Sequence, residues 1–320
     1  MMAETARQPV VVVAGPTASG KSGLAADIAD AFGGVVINAD SMQVYRGLEV
    51  LSAAPDAAAR ARVPHRLYGV LDPAEPCSAG WWRARAMEEI AAARRDGKLA
   101  VLCGGTGLYL RALMTGLAHL PPVPGDVRDA IRARLARLGP APLHAELAGK
   151  DPVSAARIEP TDPQRVARAL EVLEATGRPL SDWQRAQTPA PDTRDIAFFT
   201  ILLLPPRTSL YVAIDARFAA MIDDGGLDEV RALLKRGLDP ALPAMKALGV
   251  PDLIAYLGGE ISFDDAVRRG QQVTRRYAKR QFTWFRNQII TNLTENKQYM
   301  KRDQIKIFPL ISKFVLTCSG

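Results

Sequence analysis

Residues 10–22 read VVVVAGPTASGKS, and this stretch decides the fold. Val10–Ala14 is a short apolar run dominated by β-branched residues, the mark of a buried strand. Gly15, Pro16, Thr17, Ala18, Ser19, Gly20, Lys21 and Ser22 then fit the phosphate-loop pattern G-x-x-x-x-G-K-[ST] at every required position. Leu24, Ile28 and Phe32 follow at i, i+4 and i+8, so a helix opens directly from the loop. Glycines let backbone N–H groups turn inward onto a phosphate, and the helix start adds partial positive charge. Lys21 supplies a full charge, and the Ser22 hydroxyl suits a Mg2+ ion. A chance glycine turn is the alternative. The strand before it and the helix after it favour a di- or triphosphate site.

Working outward, strand-like and helix-like segments alternate: Val35–Ile37, a helix over Trp81–Arg95, then Leu99–Cys103. Alternation of this kind means a parallel sheet with crossover helices. LPPVPGD at 120–126 breaks the pattern, and residues 126–185 read as helices only. Among them, Asp162-Pro163 is an N-cap and first helical residue for a helix that runs to Thr176 and stops at Gly177. Phe198–Leu204 returns to strand character, and residues beyond 208 read as helical to about 290. The expected fold class is therefore α/β: a P-loop NTPase-like parallel sheet core (8–120 and 196–290) with an inserted all-helical domain (121–195). From Asn287 onward alanine vanishes and Ile, Lys, Asn and Gln take over. That shift marks 291–320 as an atypical tail of different origin, expected to be poorly ordered and without function.

The bulk numbers narrow the class. Apolar residues at 48% and charged residues at 23% are ordinary for a globular chain of 320 residues. The net charge of +7 favours an anionic partner. No apolar run reaches membrane-spanning length, and the N-terminus lacks a signal-peptide core. Cys77, Cys103 and Cys318 are scattered and form no CxxC pair, so neither a disulfide framework nor a zinc site is expected. A cytosolic location follows as an expectation.

Residues 35–47, VVINADSMQVYRG, pose the chemical question. Nucleotide hydrolases usually hold magnesium with an Asp ending a second apolar strand. Here the Leu99–Cys103 strand ends in Cys-Gly-Gly-Thr, and the acid at a strand end near the phosphate loop is Asp40. Phosphoryl transfer is thus poorly equipped. Asp40 could serve its own turn, as Asp often does, or present a carboxylate to a substrate.

Five motifs taken together resolve this by resemblance. GPTASGKS, INADSMQVYRGL (37–48), GGTGLYLRAL (104–113), DPQRVARALEV (162–172) and TRRYAKRQFTWFR (274–286) resemble, in order and at compatible spacing, the tRNA dimethylallyltransferases, also called tRNA isopentenyltransferases. The resemblance runs from about residue 9 to 287. It implies transfer of a dimethylallyl group from dimethylallyl diphosphate to N6 of the adenine 3′ of the anticodon, with Mg2+ and a monomeric enzyme. Asp40 matches the family's general base. Lys21, Thr106, Ser22 with Mg2+, and Arg217 are implied at the departing diphosphate. Thr106 could instead be only a helix cap, and Arg217 only a solvated charge on an amphipathic helix. The basic residue that the family commonly carries four positions before Arg217 is Ala213 here.

The chemistry fits those assignments. The lone pair on adenine N6 is delocalised into the ring, so the amine needs a nearby proton acceptor. Negative charge develops on the leaving diphosphate, where donors and metal help most. The target adenine must also leave its stack, so a channel from the RNA side to the phosphate loop is expected.

On the RNA side, residues 268–286 hold seven Lys or Arg and no acid. At about 100° per residue, Arg268, Arg275, Lys279 and Arg286 share one stripe, Arg269, Arg276 and Arg280 lie beside it, and Val273, Tyr277 and Trp284 face away. A solvated helix face is the bland alternative; a phosphate-backbone contact is favoured. The resemblance implies tRNA contacts at Arg128 and along Gln164, Arg165, Val166, Ala167 and Arg168. Ser41, Met42 and Gln43, beside Asp40 and with Thr106 near it, are candidates for holding the flipped adenine, and Arg275, Lys279 and Arg280 of the cationic stripes are candidate tRNA contacts. Of the 162–172 segment, Val166, Leu170 and Leu173 are read as its buried stripe. MKALGV, 245–250, falls where the family touches tRNA, although Val250-Pro251 departs from the usual ending. Two other classes compete: a P-loop small-molecule kinase, and a non-catalytic RNA-binding protein that keeps its phosphate loop only for structure. Intact Asp40, Thr106 and Lys21 argue against the latter.

Overall fold

The computed structural model describes residues 7–118, 120–186 and 193–319. Six strands form one sheet: β1 (Gln8–Ala14), β2 (Gly34–Asn38), β3 (His65–Arg66), β4 (Leu99–Gly104), β5 (Ile196–Leu203) and β6 (Leu293–Glu295). Their order is β3-β2-β4-β1-β5-β6, and every pairing is parallel. Parallel strands buried on both faces need continuous apolar sequence, and Val10–Val13 of β1 are fully buried. The central position of β1 follows from that. It pairs with β4 on one side and β5 on the other, so the loop after it lies at the carboxyl edge, where open α/β sheets bind ligands.

The chain divides into two compact units, Met1–Met114 with Pro191–Gly320, and Thr115–Ala190. The second is all helical, as expected, with helices over Gly125–Leu138, Pro140–Lys150, Pro152–Ala155, Pro163–Thr176 and Leu180–Arg185. Its core gathers Ile131, Leu143, Leu147, Val166 and Leu170. The unit begins at 115 rather than 121 because the proline-rich stretch belongs to it: Val123 packs into this same core. Asp162 caps the 163–176 helix by accepting from the Arg165 N–H at 3.0 Å, and Gly177 ends it in the left-handed conformation. Asp151 is buried and holds two turns at once, accepting from the Ser154 N–H at 3.0 Å and the Ser181 N–H at 3.1 Å.

The tail overturns its expectation. β6 extends the sheet beside β5, and a helix over Gln304–Ser319 packs on the cluster that holds Val11, Val13, Leu24 and Ile28. Ile307 and Ile311, one helical turn apart, are fully buried there. Composition misled because alanine is not required for packing. Isoleucine at i, i+4 spacing supplies the apolar stripe equally well.

Candidate active site

The phosphate loop joins β1 to a helix over Lys21–Ala31. Gly20 takes a left-handed φ of 88°, and Ala18 takes φ 65°. A Cβ on Gly15 would lie 2.7 Å from the Leu203 carbonyl and 2.8 Å from Ser19 Oγ, so only glycine fits that turn. Ser19 Oγ is buried with no hydrogen-bond partner among the described residues. Lys21 is buried and donates to the Pro16 carbonyl at 3.4 Å. Burial pulls its pKa down, against the opposing pull of Cys103 and Asp40, while neighbouring Arg217 adds to the lowering. An arriving polyanion would relieve that penalty. Cys103 is the last side chain before the end of β4 at Gly104, where a nucleotide hydrolase would carry its acid. Burial raises its thiol to about 11, although Lys21 and a hydrogen bond with Ser22 draw it back.

Asp40 follows β2 in a turn built by its neighbours. Its N–H donates to Asn38 Oδ1 at 2.8 Å, and Asn38 Nδ2 donates to the carbonyls of Asp40 and Leu67, both at 3.0 Å. One Asp40 oxygen, Oδ1, accepts from the Met42 N–H at 3.0 Å. The turn role and the presenting role therefore coexist, because Oδ2 has no donor among the described residues.

Thr106 lies opposite. Its Oγ1 accepts from the Ser41 N–H at 3.0 Å and donates to Ser41 Oγ at 3.3 Å, and its N–H donates to the Ala39 carbonyl at 3.2 Å. The GGTG run is needed for close approach: Cβ atoms on Gly104, Gly105 and Gly107 would collide with the Ala39 carbonyl, the Gln281 amide and the Trp284 ring. Gln281, buried on the Phe263–Gln288 helix, bridges the two loops. Its Oε1 accepts from the Thr17 N–H at 2.9 Å, and its Nε2 donates to the Gly105 carbonyl at 2.8 Å.

A cavity of about 240 Å³ joins Asp40 to Thr17 of the phosphate loop. Its polar wall includes Thr17, Asp40, Ser41, Arg217, Tyr277 and Arg280. Ile214, Phe218 and Met221 supply apolar wall from the Arg207–Met221 helix, which presents them with Arg217 at i, i+3, i+4 and i+7. Arg217 is no solvated charge: it is largely desolvated, burial lowers its pKa against the pull of Asp40, and its guanidinium donates to Thr17 Oγ1. Lys246 and Leu248, from the MKALGV segment, also line the cavity. Val250 is instead fully buried at the start of the next helix, so its departure from the family pattern touches no ligand space.

Sequence reasoning missed Tyr277, which it assigned to the packing face. Burial raises its phenol, with Asp40 adding to the effect and a hydrogen bond to Thr106 opposing it. Arg280 stands over its ring, 5.5 Å from the centroid. Its place three residues before Arg280 on one helix was the available signal. Gln281 was missed too, since its partners Thr17 and Gly105 lie far away in sequence.

Several assignments need correction. Gln43 is buried, and its amide donates to the carbonyls of Ser52 and Ala53, both at 2.9 Å, so it does not face the cavity. Val166 and Ala167 lie inside the helical unit's core, so their side chains cannot meet RNA. Gln164 and Arg165 are exposed and Arg168 half-exposed. Arg165 pairs with Asp162 at 3.5 Å and Arg168 with Glu171 at 3.4 Å. Arg128 donates to the Val123 carbonyl at 3.4 Å. On the long helix the seven cations are not all free, for Arg275 pairs with Asp215 and Arg268 with Asp265. Arg276, Lys279 and Arg280 are exposed. The buried stripe is Ala266, Gly270, Thr274, Ala278, Gln281 and Phe285.

A phosphate loop at the carboxyl edge of a parallel sheet, its Thr17 sharing a cavity with the Asp40 carboxylate, defines a P-loop α/β protein. The IPP transferase family model matches residues 43–288. The chain is 56% identical over 284 residues to a tRNA dimethylallyltransferase of Rhodospirillum centenum, covering 89% of this chain and 90% of that one. It is 55% identical over 283 residues to one of Rhodopseudomonas palustris, covering 88% of each. The crystal structure of a full-length tRNA isopentenylpyrophosphate transferase of Bacillus halodurans superposes with a TM-score of 0.71 at 31% identity, covering 98% of both chains. The chain belongs to the IPP transferase family.

Proposed function

We propose that the chain transfers a dimethylallyl group from dimethylallyl diphosphate to N6 of the adenosine 3′-adjacent to the anticodon (position 37) of tRNA, working as a monomer in the cytoplasm. The observation that carries this reading is the single cavity lined by Asp40 and by the phosphate-end residues Thr17 and Arg217. Relatives at 53–56% identity, all named tRNA dimethylallyltransferase, support it.

The residue roles follow from charge flow. Asp40 accepts the proton that N6 loses as the C–N bond forms, and its unpaired oxygen is the natural acceptor. The loop amides, Lys21 and Arg217 take the charge that builds on diphosphate as the C–O bond breaks. Thr106 holds the Ser41 turn that aims Asp40. Arg128, Gln164, Arg165, Arg168, Lys279 and Arg280 are the proposed tRNA contacts, with Arg276 added by its exposure.

Mg2+ is part of the proposal. This ion keeps much of its water and takes one or two protein oxygens plus substrate phosphates. Ser22, exposed on the first turn after the loop, fits as that oxygen. A bound ion would supply further charge neutralisation at the leaving group.

Incubation with Mg2+, unmodified tRNA and labelled dimethylallyl diphosphate is expected to move label into RNA. No transfer, together with ATP-dependent phosphorylation of a small metabolite, would establish the kinase reading instead. Cys103 in the place of an acid already weighs against that reading.

A further inference from the structure

We propose that Gln298 and Tyr299, in the tail, are positioning residues for the phosphate loop: they hold its carbonyls outward so that its N–H groups point at diphosphate. The inference rests on the diphosphate reading of that loop and goes beyond it, because residues 293–319 lie outside the matched family span of 43–288.

A backbone cradle for an anion has a geometric cost. When successive N–H groups turn inward, the carbonyls of the same peptides turn outward, and each outward oxygen needs a donor. In this chain the tail provides them. Gln298 Nε2 donates to the Ala18 carbonyl at 2.9 Å, and the Tyr299 N–H approaches the Ser19 carbonyl at 3.4 Å. Ala18 is the loop's non-glycine residue at positive φ, a conformation that persists only when its surroundings hold it. Gly20 lies directly against the tail, since a Cβ there would stand 3.1 Å from the Tyr299 nitrogen and 3.2 Å from its Cβ.

The brace is itself anchored to the helix that the loop opens. Tyr299 Oη donates to Asp27 Oδ2 at 2.6 Å, and Gln304 Nε2 donates to the same oxygen at 3.0 Å. Arg62 pairs with the other Asp27 oxygen at 2.6 Å. The Met300 N–H donates to Asp303 Oδ2 at 2.9 Å and Lys297 pairs with Asp303, which fixes the bend that delivers Gln298 and Tyr299. No described tail residue lines the cavity. The tail therefore acts on substrate only through the loop.

The test uses Gln298→Ala, Tyr299→Phe and the double variant of the full chain. Inorganic diphosphate with Mg2+ is titrated by calorimetry, alongside KM for dimethylallyl diphosphate, kcat, tRNA affinity and the thermal midpoint. Each single variant is expected to weaken diphosphate binding and raise that KM about five- to tenfold, the worth of one lost hydrogen bond. kcat at saturation and tRNA affinity should stay within about twofold of wild type. Tyr299→Phe keeps the backbone against Gly20 and the ring near Gly23, and so tests the Asp27 anchor without removing bulk. Unchanged diphosphate affinity in both singles would overturn the proposal. So would a parallel loss of tRNA affinity and thermal stability, which would mark the tail as general scaffold. Wild-type chain that bound no diphosphate would remove the underlying reading of the loop, an outcome distinct from the other two.

Discussion

Asp40 spends one oxygen on the Met42 N–H and keeps the other free of donors among the described residues, so the side chain is oriented before substrate arrives. Pre-orientation matters because proton acceptance helps only at hydrogen-bond reach of the amine. Asn in its place can still accept from Met42, so Asp40→Asn preserves the turn and removes only the basic carboxylate. Single-turnover transfer from bound dimethylallyl diphosphate is expected to fall about 10²- to 10⁴-fold, the range for a lost general base. Affinities for tRNA and for inorganic diphosphate should change by less than about threefold. An equal loss of affinity and rate would mean that Asp40 binds or folds rather than reacts. Thr106 and Ser41 act at the same scale: the Thr106 hydroxyl holds the peptide next to Asp40.

Elements carry the next layer, and here the sequence was legible unevenly. Apolar runs located β1, β2, β4 and β5 to within about two residues, since a strand buried on both faces leaves little freedom in composition. The Asp162–Gly177 boundaries were readable because cap chemistry is local. β3 and β6, of two and three residues, were not: such short edge strands are defined by the neighbour they pair with. Gln281 and the tail brace were hidden for a similar reason, being contacts across more than 260 residues. The partners of Gly104, Gly105 and Gly107 were likewise invisible, although the glycines were not.

The Asp27 anchor gives a measurement at this scale. Burial would raise its pKa, but hydrogen bonds from Tyr299, Arg62 and Gln304 outweigh burial and hold it below the ordinary 3.8. A depressed folded pKa stabilises the native state fully above the unfolded value, and that stabilisation fades as pH falls through the folded one. Asp27→Asn is therefore expected to cost about 1–3 kcal/mol near neutral pH, from hydrogen bonds to a charged acceptor. The exposed Arg62 should add little to that figure. Urea midpoints followed downward from neutral pH should converge for the two proteins below the ordinary Asp value. A gap that stayed constant into acid would show that the charge of Asp27 is irrelevant to its role.

At the scale of the whole molecule, the net charge of +7 is unevenly spread. Residues 123–188 of the helical unit hold ten basic and nine acidic side chains, so they contribute almost nothing to it. Long-range attraction for RNA must then come mainly from the other unit, where Arg276, Lys279 and Arg280 are exposed and Arg275 is tied to Asp215. Each lysine or arginine that neutralises an RNA phosphate releases counterions, which steepens the fall of affinity with salt. Replacing Arg276, Lys279 and Arg280 singly by Ala should each reduce the slope of log K against log salt for tRNA binding by about 0.7, the single-strand value per contact. Arg275→Ala should leave the slope nearly unchanged, because that guanidinium is already neutralised by its carboxylate. Filter binding of unmodified tRNA across a series of KCl concentrations distinguishes the two outcomes. Were Arg275 to dominate the slope instead, Asp215 would have to release it on binding, and the basic helix would be a surface that rearranges around RNA rather than one prepared for it.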